Sequence, residues 1–378
     1  MQSSTSSTPE TGSEKDHENA RAESRAAFLK AAGWAAADAE PLTADASTRT
    51  YERLRLGDRQ ALLMSAPPGA ETTSCPPDAT PQERQSLGYN ALARLAGPNL
   101  HAFVDISAAL RRAGLSAPDI YAADTQTGFA VIEDLGDALY ARAIPDGADE
   151  KLLYSAAIDA LVALRRSGVT APSADHYVML DYDRVAMNAE VALLSEWYWP
   201  HRNGAAISPE LASDYAASWA GALERLSQPH TIVLRDFHAE NLLWLPSRKG
   251  VARAGVIDFQ DGLFGHAAYD LVSLLEDARR DVDPALAQAM IAHYCRQAKD
   301  APDFDKERLL SDYAILGAQR NAKILGIFAR LITRDHKPRY AQFFSRVENH
   351  FRNDLKHPSL ADVRSFFSRH MPDLAPHD

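Results

Sequence analysis

The 378-residue sequence contains only two cysteines, Cys75 and Cys295, far apart and in no ligand-type spacing. That excludes a disulfide framework and a cysteine-built metal centre, and a reducing cytoplasm is the expected compartment. No apolar run approaches the length needed to span a bilayer. The opening MQSSTSSTPETGSEKDHE lacks both the basic start and the apolar core of a secretory signal. Positive charge is not in excess either: the net charge is −11 and the pI about 5.6. This argues against broad nucleic-acid or anionic-membrane binding, while leaving room for a local basic pocket. Neither GxxxxGK[ST] nor GxGxxG occurs, which removes the P-loop and the dinucleotide fingerprint. No internal repeat is evident.

With 46% apolar residues the chain is broadly globular and long enough for two lobes. Residues 1–19 are Ser/Thr/Glu-rich and read as a disordered tail. A helix is expected over 20–32, with Phe28 and Leu29 as anchors and Gly33 as its stop. Residues 40–65 read as a hairpin turning at Gly57-Asp58. The Pro/Gly/Thr-rich stretch 67–82 reads as a flexible insertion carrying an exposed, incidental Cys75. A helix over 99–113 and strands over 119–124 and 129–133 complete a first lobe of 20–135. From 149 onward helices dominate, at 149–167, parts of 185–199, 209–226, 266–280, 284–298, 305–333, 339–354 and near Leu360. They form a second lobe of 136–372, followed by a short tail, 373–378.

The stretch from Thr231 to Asp261, TIVLRDFHAENLLWLPSRKGVARAGVIDFQD, interrupts those helices with three short apolar runs. Polar groups gather at the run ends: Asp236, His238 and Asn241 after the first, Asp258 and Asp261 after the last. Carboxylates beside apolar strands call for a partner or a ligand. The pattern D-x-x-x-x-N followed by a strand-end Asp suits phosphoryl transfer. Asp236 would align an acceptor hydroxyl, and Asn241 and Asp258 would offer oxygens to Mg²⁺ against a triphosphate. A lone loop Asp is ordinarily a turn or cap, but the spacing of all three favours chemistry. His238 reads as a framework hydrogen-bonder, and Asp270, inside the apolar run AAYDLVSLL, as support for the catalytic loop. Arg235 is either a surface arginine, a partner for a carboxylate, or a substrate contact. Asp261 would shape the site or cap a helix, and His266 is similarly open. On the nucleotide side, Ser47 and Arg49 lie in a polar turn whose backbone N–H groups suit phosphate. Glu133 and Leu135 lie in the linker between lobes, where backbone groups suit an adenine edge.

These residues resemble the aminoglycoside phosphotransferase-like kinases, whose catalytic loop H-G-D-x-H-x-x-N is matched by LRDFHAEN. Leu234 and Arg235 stand where that family usually has His and Gly. The metal-binding I-D-[FW] is matched by Ile257-Asp258-Phe259. Within the family the sequence is most similar to the anomeric N-acetylmuramate/N-acetylglucosamine kinases of cell-wall recycling. The matching runs are RDFHAENLLWLP, GVIDFQDGLFGHAAYDLVSLLEDAR and LGAQRNAKILGIFARLITRDHKPRY, with EDLGD at 133–137 and ALLMSAPP at 61–68. The resemblance spans about Ala20 to Pro372.

That resemblance implies an α+β, protein-kinase-like two-lobed fold with a small mixed N-terminal lobe and a large helical C-terminal lobe. It implies ATP between the lobes, Mg²⁺, and an amino-sugar acceptor whose 1-phosphate passes to a nucleotidyltransferase. Two departures stand out. The family's third-strand lysine is absent near Leu63-Met64, with Arg49 as the substitute, and the 68–82 insertion lengthens the first lobe. Arg320 and Lys323, at i,i+3 spacing, would face the lactyl carboxylate of N-acetylmuramate or else pair internally. Trp197 and Trp199 would stack on sugar or, more in keeping with their setting, pack between helices. An aminoglycoside, choline or homoserine kinase is the alternative activity. A catalytically inactive nucleotide-binding protein is the alternative of another class.

Overall fold

The computed structural model describes residues 11–42, 48–68, 74–170, 176–301 and 304–376. The chain divides into two compact units, one taking residues 1–71, 98–100 and 119–134 and the other 72–97, 101–118 and 135–378.

The first unit is a five-stranded antiparallel sheet in the order β1-β2-β3-β5-β4, with one helix. The helix is α1 (Thr11–Ala31), and the strands are β1 (Asp38–Pro41), β2 (Thr50–Leu56), β3 (Arg59–Ser65), β4 (Ile120–Asp124) and β5 (Phe129–Ile132). Period-two alternation puts Leu54, Ala61, Leu63, Phe129 and Val131 on one face, where Phe28, Leu29 and Trp34 cover them. The β2–β3 hairpin turns at Gly57, whose φ of +58° glycine adopts without a Cβ penalty. Helix α1 begins at Thr11, within the 1–19 stretch expected as a disordered tail; residues 1–10 lie outside the described residues. Leu63 and Met64 are fully buried in β3, so the site of the missing lysine belongs to the core.

The second unit is mainly helical. Its early helices are α2 (Pro81–Leu87), α3 (Tyr89–Leu92), α4 (Leu100–Arg112), α5 (Tyr140–Ala143), α6 (Glu150–Arg166) and α7 (Arg184–Leu193). A π-helical turn over Leu194–Tyr198 leads into α8 (Trp199–Asn203), then α9 (Pro209–Glu224). After the central stretch come α10 (Ala268–Leu275), α11 (Pro284–Ala298), α12 (Lys306–Thr333), α13 (Phe344–Asp354) and α14 (Ala361–His370). The central stretch forms two ribbons: β6 (Thr231–Val233) pairs with β9 (Leu263–Gly265), and β7 (Leu242–Trp244) with β8 (Ala254–Val256).

Several expectations change here. The 67–82 stretch ends in α2, closed by a capping box between Thr80 and Glu83, and Cys75 is buried rather than exposed. Most of 72–118, assigned by sequence to the first lobe, packs with the second unit; Phe103 of α4 stacks on Phe259 with ring centroids 5.0 Å apart. Asp261 accepts from Ala96 N at 2.6 Å and precedes a strand, not a helix. The tail expected from 373 is anchored by Leu374, which is buried. Among the described residues, no helix is long and apolar enough to cross a membrane.

Candidate active site

Strand β6 delivers the catalytic loop, and α10 fixes it from behind. Both oxygens of the buried Asp270 carboxyl accept backbone N–H groups, from Leu234 at 2.7 Å and Arg235 at 2.9 Å. Burial pushes the Asp270 carboxyl up to about 7, against the lowering by those two donors. The loop then closes on itself, with Asp236 N donating to Leu234 O, His238 N to Asp236 O and Asn241 N to His238 O, at 2.8–3.1 Å.

The β7–β8 ribbon sets the second half of the site. Register pairs Leu242 with Val256, and Ile257 N donates to Asn241 O at 3.1 Å, so Asn241 and Asp258 emerge side by side. The Asn241 amide donates to Asp236 O at 3.0 Å and reaches Asp258 Oδ2 at 3.4 Å. Asp258 is exposed, has φ of +58°, and accepts from Gln260 Nε2 at 2.8 Å. Asp236, Asn241 and Asp258 are thus brought together by two ribbon ends.

Burial alone would raise the Asp236 carboxyl, yet Lys323, His238, Arg320 and Arg235 outweigh it and hold it below the usual range. Asp236 is therefore ionised at neutral pH, a hydrogen-bond acceptor for a hydroxyl. His238 is buried, and burial lowers its imidazole despite Asp277 and Asp236. Asp277 also accepts from Ala239 N, and a cavity of about 300 Å³ lined by Ala239, Glu240, Asp277 and Arg279 opens beside the loop. No cluster of three His, Cys, Asp or Glu side chains that could cage a metal exists among the described residues. One carboxylate beside one amide fits Mg²⁺, a hard cation that keeps waters and phosphate oxygens in its shell.

The other residues singled out by sequence divide. Arg235 is fully buried: it pairs with Glu190 and donates to Ala93 O at 3.1 Å, so the substrate role expected for it is overturned. Lys323 likewise turns inward, to Glu190 at 3.0 Å and Tyr269 OH at 3.3 Å, the internal pairing rather than the substrate contact. Arg320 is also buried, but its Nη1 has no hydrogen-bond partner, and its charge acts on Asp236 and His238. In the first unit Arg49 is half-buried, while Ser47 lies outside the described residues. Glu133 N donates to Asp119 O at 2.8 Å, and Leu135 packs with Leu243 and Leu245. Trp197 and Trp199 are partly buried around the π-helical turn. Glu190, Asp277 and Gln260 were not singled out by sequence: Asp277 and Gln260 sit inside the matching run 255–279 with no role read for them, and Glu190 meets Arg235, Gln319 and Lys323 across 45 to 133 residues.

His266 is framework. Burial drops its imidazole to about 4, whereas an unfolded chain takes up that proton near 6.5. The folded group's lowered value means that stability is lost as pH falls from about 6.5 to about 4, by on the order of 3 kcal/mol. Urea midpoints across that window should fall for the wild type and show a shallower slope in His266→Gln.

A loop aspartate, an asparagine five residues on and a strand-end aspartate, held on β-ribbons in a helical unit, define a phosphotransferase of protein-kinase-like fold. Residues 38–310 match the phosphotransferase enzyme family APH, and the chain belongs to that family. Its chemistry uses ATP and Mg²⁺. The N-acetylmuramate/N-acetylglucosamine kinase of Caulobacter vibrioides is 44% identical over 362 residues, covering 93% of this chain and 97% of that protein. The kinase of the same name from Pseudomonas aeruginosa is 31% identical over 351 residues, covering 88% and 89%. The structure of a microcompartment-associated aminopropanol kinase aligns with a TM-score of 0.55 at 13% identity, covering 86% of this chain and 94% of that one, a likeness of fold alone.

Proposed function

We propose that the protein transfers the γ-phosphoryl group of ATP to the anomeric hydroxyl of N-acetylmuramate and/or N-acetylglucosamine, in peptidoglycan recycling. The observation that carries this reading is the convergence of Asp236, Asn241 and Asp258 in a chain 44% identical, nearly end to end, to a kinase named for those two sugars. Asp236 receives the hydrogen bond of the acceptor hydroxyl and aligns its oxygen; the loose transition state asks little of it as a base. Asn241 and Asp258 hold the metal, which when bound neutralises the β- and γ-phosphates. Arg320, with an unpartnered buried nitrogen, supplies the positive group for the lactyl carboxylate that distinguishes N-acetylmuramate. Arg49 and Ser47 serve the phosphates, and the backbone at Glu133 and Leu135 the adenine.

An enzyme that consumes ATP belongs where ATP is, which places it in the cytoplasm. Its product, a sugar 1-phosphate, is chemically suited to a nucleotidyltransferase. ADP release measured across amino sugars, aminoglycosides, choline and homoserine tests the reading. Release with the two sugars supports it, release only with another acceptor replaces it, and none with any acceptor favours a nucleotide-binding protein. Asp258→Ala is expected to weaken Mg²⁺-dependent ATP binding by about tenfold or more. Calorimetry with and without Mg²⁺ reads this out, and unchanged binding would remove Asp258 from the metal.

A further inference from the structure

Glu190 takes no direct part in the chemistry above, yet its carboxylate gathers hydrogen bonds from Arg235, Tyr182 and Gln319 and an ion pair with Lys323. It lies on α7 with its side chain fully buried. One oxygen takes Arg235 Nη2 and Lys323 Nζ, the latter at 3.0 Å. The other takes Tyr182 OH and Gln319 Nε2, the latter at 2.8 Å. Four donors from three separate parts of the chain therefore meet on one side chain. The attraction of Lys323 and Arg235 overcomes a burial that would push the carboxyl up, and leaves it ionised.

Arg235 is the informative partner. Its φ is +68°, in the left-handed region that a residue with a Cβ seldom enters. The next peptide carries Asp236. The Arg235 side chain is drawn into the core by Glu190, the Ala93 carbonyl and the Tyr182 ring, while its N–H is fixed by Asp270. Strain of this kind persists only where surroundings over-determine it. Asp270 holds the backbone on one side of the turn, and Glu190 holds the side chain on the other.

We propose that Glu190 is a positioning residue: by clamping Arg235 in its left-handed turn it fixes the peptide that presents Asp236, and a glycine at 235 would make the clamp dispensable. Glycine adopts the same turn without a Cβ penalty and removes the guanidinium that needs an anion. The proposal rests on the reading of Asp236 as the residue that aligns the acceptor.

The test is a double-mutant cycle of wild type, Glu190→Gln, Arg235→Gly and the pair, scored by sugar kinetics and by amide hydrogen exchange over 234–241. Glu190→Gln should lower kcat about 30-fold, a misplacement effect, with the KM for ATP within about twofold and faster exchange over the loop. Arg235→Gly should lose only the part of the rate owed to its charge beside Asp236, about threefold, and the double variant should match it, so that the second change rescues the first. Should Glu190→Gln fold poorly, Glu190→Asp keeps the charge, withdraws it by one methylene, and is expected to act in the same direction more weakly. Wild-type kcat and exchange in Glu190→Gln, or a double variant worse than both singles, would overturn the clamp. The exchange measurement decides the matter even if no sugar is turned over, which separates failure of this inference from failure of the substrate assignment.

Discussion

Asp236→Asn is expected to lower kcat by about 10³-fold while leaving Mg²⁺-dependent ATP binding nearly unchanged. The substitution keeps the size of the side chain and the backbone carbonyl that receives the Asn241 amide at 3.0 Å, so the loop should keep its shape. What it removes is the anionic acceptor that aligns the sugar oxygen. It also removes the negative charge that Lys323, His238, Arg320 and Arg235 surround. A neutral amide keeps one acceptor oxygen in place of two and offers the lysine and arginines no counter-charge. Steady-state kinetics with the amino sugars, paired with calorimetric ATP titration, separates lost alignment from lost binding. Normal turnover in the purified variant would remove Asp236 from its role.

The largest stability effect is expected at Gly326, on α12. A Cβ built there would lie 2.3 Å from the Leu193 carbonyl carbon and 2.4 Å from its oxygen. The obstacle is backbone at the end of α7, where the π-helical turn begins, and it cannot swing aside as a side-chain tip would. Gly326→Ala must therefore part α12 from α7, at about 3 kcal/mol or more. The apparent melting midpoint should fall by about 4 °C or more. Because α12 also carries Gln319, Arg320 and Lys323, activity should fall with it. Gly221, in α9, is the control: its Cβ would meet nothing closer than Asp362 Oδ2 at 3.5 Å. There the better helix propensity of alanine should leave the midpoint unchanged or raise it, by at most about 1 kcal/mol. The same substitution thus has opposite signs at two helical glycines, and differential scanning calorimetry of both distinguishes them. A stable Gly326→Ala would mean that the two helices do not meet as closely as this structure has them.

Which parts of the site could be read in advance follows from the range of the interactions involved. That Asp236, Asn241 and Asp258 come together was legible because turn chemistry and a short ribbon register are local: Asn241 and Asp258 are 17 residues apart, joined by one hairpin. Arg235 was left open between surface, carboxylate partner and substrate contact, and only the fold selects the carboxylate partner. Sequence shows an arginine beside the catalytic aspartate, but a left-handed backbone at that residue sends its side chain into the core. Lys323, three residues after Arg320 on one helix, has the same i,i+3 logic as its neighbour. Only the position of Glu190 decides that the lysine turns inward while Arg320 keeps a free nitrogen. The burial of Cys75 was hidden in a Pro/Thr-rich stretch with no periodicity to betray it.

The sequence by itself determined the alternating strands of the first unit, the helical periods of the second, and the order of the aspartates and asparagine along the catalytic stretch. These depend on side-chain spacing along a few turns or pleats, and that spacing survives in one dimension. Tertiary structure alone decided which charges meet. It set the four donors on Glu190, the grip of Asp270 on two backbone N–H groups, and the orphaned nitrogen of Arg320. Electrostatic partnership depends on distance and dielectric in the folded interior, and neither is a function of position along the chain.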